Sequence, residues 1–277
     1  MYTVQASRPL NPITLVILEA LHQIAAASSA SYFLIGASAR DIVMTHVFDI
    51  DAGRATRDVD FAISLEDWTQ FQIIKQKFID SGDFQSTPDA AHRLFYQPET
   101  FGWAYPLDLI PFGKIASAKN TIAWPPDMAT IMNVIGYAEA LQHAIQVDVG
   151  GDLVVNVVSI PALAALKILA WNDRGLEDNK DAQDFLFLLR HYNEAGNIDR
   201  VYEDPLSVLE SCGYEIDLAG AVLLGHDTGL ILEQATRQAV LAVPPISRPR
   251  GKARGISSGY AGGLERTSNN GHARQRR

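Results

Sequence analysis

The sequence predicts an α+β fold, in which a mixed sheet with flanking helices is followed by a helical C-terminal part. Residues 58–63 alternate between apolar and acidic or small side chains, which is the period of a strand. Residues 15–24 repeat leucine or isoleucine at every third position, as on one face of a helix. After residue 159 only the helical period remains. We therefore predict a mixed domain over 1–158, a helical domain over 159–246 and a basic tail over 247–277.

Local signals place the elements of the mixed domain. Asn11 and Pro12 predict a helix start, because Asn caps helices and Pro is tolerated at the first helical position. Gly36 ends a buried strand and opens a turn into the next helix. The pair Gly150-Gly151 predicts a two-residue hairpin turn. Strands are expected at 31–35, 58–63, 92–97, 105–111, 145–149 and 152–157, and helices after Asn11, over 37–46 and after Ser64.

In the helical domain, glycines mark the ends of the two main helices. Gly175 and Gly196 follow periodic segments, so helices are expected over 161–172 and 178–194. Shorter helices are expected over 205–211, 218–224 and 228–241. Beyond Ser247 the chain is rich in Gly, Ser, Asn and Arg with few apolar residues, so we predict disorder there.

Charge and composition exclude several classes of protein. The net charge is −9, but the tail holds eight of the 23 basic residues and one of the 32 acidic ones, so residues 1–246 carry −16. Such an acidic body argues against broad nucleic-acid binding through charge alone. The single cysteine, Cys212, excludes an intramolecular disulfide. No secretory signal and no membrane-spanning apolar run are visible, so we expect a cytoplasmic protein that does not enter a membrane.

Asp58 and Asp60 are the first candidate functional residues. They lie two positions apart on a predicted strand, so both side chains point to one face. Ionised carboxylates this close repel each other unless a cation lies between them, and Mg²⁺ prefers such oxygen ligands. An Asp-x-Asp pair alone is also typical of a solvated strand edge. The preceding turn from Gly36 into a helix makes the pair more specific, because backbone N–H groups at a helix start bind phosphates and Ser38 adds a hydroxyl.

A third carboxylate is expected to complete the site. Asp108 stands within the apolar run 105–111, where an unpaired buried charge is costly. A metal shared with Asp58 and Asp60 would hold the Asp108 carboxylate ionised, whereas the alternative is an Asp that faces solvent. Asp148 is the competing candidate, but it adjoins the Gly-Gly hairpin turn and we rank it below Asp108.

The helical domain adds a set of charged residues. Lys167 shares a helix face with apolar neighbours, so its ammonium should either reach water or meet an anion, such as a nucleotide phosphate. Lys180 and Asp184 are four residues apart, a spacing that is also typical of a surface ion pair. Arg174, with Asp173, fits either a cleft wall or a helix end. No Gly-x-x-x-x-Gly-Lys loop is present, which excludes a P-loop ATPase.

These motifs together resemble the nucleotidyltransferase superfamily of DNA polymerase β. Its pattern is a glycine turn, an Asp-x-Asp strand and a later strand Asp, here Gly36, Asp58, Asp60 and Asp108. Within it the chain is most similar to the AbiEii/AbiGii toxin-type enzymes, which include the MenT toxins, and the turn is also similar to that of tRNA CCA-adding enzymes. Ala37 departs from the usual Gly or Ser of the turn.

The resemblance implies roles for individual residues. Catalysis is assigned to Asp58, Asp60, Asp108 and Lys167, with the three carboxylates as metal ligands. Nucleotide binding is assigned to Gly36, Ala37, Ser38, Arg40, Lys180 and Asp184. The implied cofactor is Mg²⁺, with Mn²⁺ as a substitute, and the implied substrate is an NTP.

The resemblance also implies a reaction, the transfer of a nucleoside monophosphate from the NTP to an acceptor hydroxyl. A tRNA 3′ end is the acceptor that fits toxin-type enzymes, and a cognate antitoxin would then be a partner. Two alternatives remain open. The acceptor could be a small molecule such as an antibiotic, which the acidic body favours, or the domain could bind a nucleotide or protein without catalysis.

Overall fold

The computed structural model describes residues 1–53, 56–87, 90–97, 103–175, 179–203 and 208–244. Residues Met1–Pro244 form one compact unit. The tail predicted to be disordered lies outside the described residues, as do the starts of the helices predicted at 178 and 205. The predicted domain boundary near residue 159 stays a prediction.

The described residues contain a mixed sheet of eight strands in the order β1-β9-β10-β2-β3-β6-β5-β4, with a separate pair, β7-β8. β3 pairs with β2 antiparallel and with β6 parallel, which makes the sheet mixed at its centre. The strands are β1 Tyr2–Thr3, β2 Tyr32–Ile35, β3 Val59–Ser64, β4 Phe84–Thr87, β5 Ala90–Tyr96, β6 Tyr105–Phe112, β7 Thr121–Ala123, β8 Ile131–Asn133, β9 Ile145–Asp148 and β10 Val154–Val157.

Helices flank this sheet, and they form the regular secondary structure of the described residues that follow β10. They are α1 Pro12–Ala27, α2 Gly36–Asp41, α3 Trp68–Asp80, α4 Tyr137–Gln142, α5 Ile160–Arg174, α6 Lys180–His191, α7 Ile198–Glu203, α8 Val208–Ser211, α9 Ile216–Ile231 and α10 Gln234–Ala242. The predicted fold class, a mixed sheet with flanking helices and a helical C-terminal part, is confirmed. Among the described residues, no helix combines the length and apolar character needed to span a bilayer.

The central strands are buried on both faces by aromatic and branched side chains. Phe33 of β2 and Phe61 of β3 have no exposed surface, and neither do Phe71 and Phe78 of α3. Burying one such side chain stabilises the fold by about 1.5–3 kcal/mol. This packing fixes β2, β3 and α3 as a rigid support for the polar residues that lie at the strand ends.

The helix predicted over 37–46 has a different geometry from the one expected. α2 begins at Gly36 and ends at Asp41, and a π-helical segment, Ile42–Val47, follows it. Ile42, Val43 and Met44 are buried there. The turn after Gly36 predicted a helix but does not distinguish an α from a π turn, which is set by how these side chains pack.

The two short helices predicted over 218–224 and 228–241 are also different. α9 runs without a break through Gly225, and α10 begins at Gln234. Tertiary contacts hold the helix together at Asp227, whose carboxylate accepts hydrogen bonds from Tyr192 and Arg200. Such contacts outweigh the roughly 1 kcal/mol that a glycine costs within a helix.

Candidate active site

Asp60 and Asp108 lie side by side at the centre of the sheet. β3 and β6 run parallel, and their register makes the two residues direct partners. Directly paired residues of neighbouring strands project to the same face of a sheet. Asp58 immediately precedes β3, and its charge acts on Asp60. The structure therefore brings together the three carboxylates that the sequence singled out.

Electrostatics confirm that these carboxylates share one environment. Burial, followed by repulsion from Asp108 and Asp58, raises the pKa of Asp60 to about 7. Lys167 and Arg174 act in the opposite direction on the same carboxyl. The site thus concentrates negative charge in a partly buried place, with cations of the helical half within electrostatic reach.

Gly36 lies directly against the Asp60 carboxylate. Its φ is +72°, a left-handed conformation that favours glycine, and a Cβ at this position would lie 2.9 Å from Cγ of Asp60 and closer still to Oδ2. The turn between β2 and α2 therefore approaches the carboxylate as closely as a backbone can. Any other residue would displace Asp60 or the turn.

Ser38 joins this turn to β3. Its Oγ accepts a hydrogen bond from the Asp60 backbone N–H at 3.4 Å and donates one to the Ile35 carbonyl at 3.3 Å. The side chain is buried, whereas Ala37 beside it is partly buried. Ser38 therefore fixes the turn relative to the Asp60 strand, and the phosphate contacts assigned to Gly36, Ala37 and Ser38 stay predictions.

Arg93, which the sequence did not single out, binds Asp108. Its Nε donates to Oδ1 at 2.7 Å and its Nη2 to Oδ2 at 2.6 Å, a bidentate pair across β5 and β6. In the described part of the chain, no group of three or more His, Cys, Asp or Glu is arranged to enclose a metal ion. Both oxygens of Asp108 accept hydrogen bonds from Arg93 instead.

A buried charge network lies behind the carboxylates. The Lys167 ammonium is 2.9 Å from Oδ1 of Asp181 and 2.7 Å from Oδ2 of Asp184. Arg174 donates to Asp181 through Nε at 2.7 Å. Burial acts to raise the pKa of Asp181, but the hydrogen bond from Arg174 and the charge of Lys167 outweigh it and hold that pKa below its usual range. Lys167 thus contacts a pair of carboxylates in this structure, and its contact with a nucleotide phosphate stays a prediction.

Arg40 connects the network to the turn. It is 1% exposed, pairs with Asp184, and donates from Nε to Asp41 at 2.9 Å. Asp184 is therefore buried, with its carboxylate paired to Arg40 and Lys167. Lys180 is exposed at the start of α6. The nucleotide contacts assigned to Arg40, Lys180 and Asp184 stay predictions.

A cavity of about 610 Å³ opens beside Asp58. Asp58 and Ser38 form part of its wall, so it reaches one of the residues predicted to bind metal and one of those predicted to bind the nucleotide, whereas Asp60, Asp108 and Gly36 do not line it. The rest of its lining is Leu10, Asn11, Thr14, Asp41, Ile42, Thr45, His46, Asp51, Gly53, Thr56, Arg57, Val59 and Tyr105. Three carboxylates, those of Asp41, Asp51 and Asp58, line this space.

A family model described as nucleotidyl transferase AbiEii toxin of a type IV toxin–antitoxin system matches residues 42–211, more than half of the chain. The chain belongs to the AbiEii nucleotidyltransferase family. This confirms the resemblance inferred from the motifs, and the AbiEii-family chain is a nucleotidyltransferase enzyme. The matched range contains Asp58, Asp60, Asp108 and Lys167, and it begins after the Gly36 turn.

Several solved structures are similar to this chain at low sequence identity. An antigenic nucleotidyltransferase-like protein from Paracoccidioides brasiliensis is 17% identical, with a TM-score of 0.42, over 73% of this chain and 93% of its own. ANT(2″)-Ia in complex with adenylyl-2″-tobramycin is 12% identical, with a TM-score of 0.39, over 78% and 98%. The Thermotoga maritima CCA-adding enzyme with tRNA is 9% identical, with a TM-score of 0.27, over 87% and 68%. No curated protein matches the sequence significantly.

Proposed function

We propose that this AbiEii-family enzyme transfers a nucleoside monophosphate from an NTP to an acceptor hydroxyl, with Mg²⁺ or Mn²⁺ held by Asp58, Asp60 and Asp108. The observation that carries the proposal is the parallel register of β3 and β6, which makes Asp60 and Asp108 direct neighbours. The Gly36 backbone lies against the same carboxylate. A phosphate chain bound over this turn would therefore lie next to the acidic residues.

The donor chemistry of these residues fits a divalent cation. Three carboxylates supply hard oxygen ligands, and mutual repulsion with burial raises the pKa of Asp60, a cost that a bound cation relieves. Asp58, Asp60 and Asp108 would hold the cation, which would supply a lower pKa for the attacking hydroxyl and charge compensation for the leaving pyrophosphate. To bind the cation, Asp108 would have to offer it an oxygen that accepts a hydrogen bond from Arg93 in this structure.

The protein's own residues position and balance the reaction. The acceptor oxygen forms a bond to the α-phosphorus, the bond from that phosphorus to the bridging oxygen breaks, and pyrophosphate leaves with the bonding electrons. The acceptor's proton passes to a carboxylate oxygen of Asp108. Ser38 holds the turn against β3, and Lys167, anchored by Asp181 and Asp184, places a positive charge within reach of Asp60.

The acceptor that we propose is the 3′ end of a tRNA, with the enzyme acting as the toxin of a toxin–antitoxin pair. The toxin description of the family model, which matches residues 42–211, supports this role. The acidic body requires that RNA is held by a few local cations rather than by a basic face, and the tail with its eight basic residues is one source of them. A cognate antitoxin is then the expected protein partner.

One observation favours a second candidate, a small cationic acceptor such as an antibiotic. The cavity beside Asp58 is about 610 Å³, within the range of small-molecule sites, and its wall carries three carboxylates against one arginine. An amine-bearing molecule would find complementary charge there.

One experiment distinguishes the tRNA acceptor from the small-molecule acceptor. The full chain is incubated with Mg²⁺ and each α-labelled NTP, together with either total tRNA or a panel of aminated small molecules. Label on tRNA supports the toxin proposal, and label on a small molecule supports the second candidate. The variant Asp60→Asn should abolish transfer to either acceptor. Asp148→Asn is the matched control, because the Asp148 carboxylate lies at a hairpin turn, where it accepts a hydrogen bond from Gly150 N–H. If no acceptor is labelled, or if both variants transfer equally well, the proposal is wrong.

A further inference from the structure

Arg93 is placed at the carboxylates in a way that the proposed chemistry leaves unexplained. Its guanidinium binds both oxygens of Asp108 through charge-assisted hydrogen bonds of 2.6 and 2.7 Å. The pair lies across adjacent strands whose register makes the two residues direct neighbours. A carboxylate that accepts two such bonds directs its best lone pairs to the arginine.

The charge of Arg93 interacts with all three carboxylates, those of Asp58, Asp60 and Asp108. The hydrogen bond with Asp108 raises the pKa of the Arg93 guanidinium, and the charges of Asp58 and Asp60 raise it further. A cation bound among these acids would therefore meet a resident positive charge at close range, and two cations on one carboxylate repel each other.

We propose that Arg93 is an internal counter-cation, which holds Asp108 while the site lacks metal and competes with the divalent cation for that carboxylate. The inference rests on the proposed function, since it requires Asp108 to be a metal ligand. Arg93 thereby weakens metal binding, and in exchange it keeps a buried carboxylate paired when no cation is present.

The exposure of the side chains shows how the exchange proceeds. The Arg93 side chain retains 32% of its surface, whereas that of Asp108 retains 12%. Arg93 can therefore swing into solvent when a cation binds, while Asp108 stays in its strand. Lys167 cannot do the same, because it is 7% exposed and held by two carboxylates.

The test is a titration of the full chain with Mn²⁺ alone, with free Mn²⁺ measured by electron paramagnetic resonance. Removal of the competitor in Arg93→Gln should tighten Mn²⁺ binding at least about fivefold, the lower end of the usual range of coupling between two ligands. Asp108→Asn should weaken binding, and Arg93→Gln in that background should give no gain.

Arg200→Gln is the matched control. Arg200 forms an equivalent bidentate pair with Asp227, at 2.7 and 2.8 Å, and its replacement removes the same charge. The Arg200→Gln variant should bind Mn²⁺ with the same affinity as the unchanged chain. An equal gain in both variants would mean that net charge alone sets the affinity, and would overturn the proposal.

Two further outcomes keep the inference separate from the proposed function. If Asp60→Asn loses Mn²⁺ binding while Asp108→Asn and Arg93→Gln leave it unchanged, Arg93 does not compete with metal, although nucleotidyl transfer at Asp58 and Asp60 survives. If Asp60→Asn binds Mn²⁺ normally, the metal site itself is wrong. Should Arg93→Gln fail to fold by circular dichroism, Arg93→Met also removes the charge and keeps a long side chain, and the proposal fails unless this variant tightens Mn²⁺ binding.

Discussion

Replacement of Gly36 by alanine tests the close approach between the turn and the Asp60 carboxylate. A left-handed φ of +72° costs an alanine about 1–2 kcal/mol. The added methyl group would lie 2.9 Å from Cγ of Asp60, and overpacking of this kind costs about 1–3 kcal/mol more. We expect Gly36→Ala to lose about 2–5 kcal/mol of unfolding free energy. Nucleotidyl transfer should fall about a hundredfold, because the carboxylate is displaced by the order of 1 Å.

Urea denaturation and single-turnover transfer from an α-labelled NTP measure the two effects. Gly151→Ala is the control, since Gly151 has a φ of +64° but nothing within 4 Å of an added Cβ, so it reports the conformational cost alone. The double variant Gly36→Ala/Asp60→Ala should regain most of the stability lost to the clash and no activity. If Gly36→Ala is no less stable than Gly151→Ala and keeps its activity, the turn does not crowd Asp60 and the reasoning is refuted.

Two other predictions concern the charge networks. Arg40→Met should destabilise the chain by about 1–3 kcal/mol in urea, because the buried Asp184 loses one cation and keeps Lys167; a loss below about 1 kcal/mol would contradict the network. For Asp227, burial acts to raise the pKa, but hydrogen bonds from Arg200 and Tyr192 outweigh it and lower the pKa from 3.8. Its stabilisation relative to Asp227→Asn should therefore be complete above about pH 5 and fade as the pH falls below 4, as urea melts at several pH values would show; a difference independent of pH would contradict it.

The sequence was sufficient to predict the two strands that carry Asp60 and Asp108. It was insufficient to predict which strands pair and which side chains lie beside these carboxylates. Alternation predicted a strand at Asp60, and an apolar run predicted one at Asp108, and both strands are present. Their adjacency depends on the parallel pairing of β3 with β6, a long-range contact that no local period encodes. Arg93 was missed for the same reason, because its importance follows only from the register of β5 against β6.

The helical half shows a similar division. The apolar face around Lys167 predicted that its ammonium reaches water or meets an anion, a nucleotide phosphate, and the anion that it meets in this structure is a pair of carboxylates. The identity of that anion depends on how α5 and α6 pack, which brings Asp181 and Asp184 to the lysine. Arg40 was assigned to nucleotide binding from its place in the turn, and in the structure it forms an ion pair with Asp184 of α6. The sequence shows which residues are charged, whereas the packing of the helices decides which of them form ion pairs.

The most direct test of the central claim, that adjacent carboxylates of β3 and β6 act as one site, is single-turnover nucleotidyl transfer by Asp108→Asn at saturating Mg²⁺. The change removes a charge and keeps the shape of a side chain whose partner in the sheet is Asp60. We predict a loss of about a thousandfold or more relative to Asp148→Asn, since cation-assisted charge stabilisation is worth several kcal/mol. Transfer by a folded Asp108→Asn variant at the rate of the control would contradict the account.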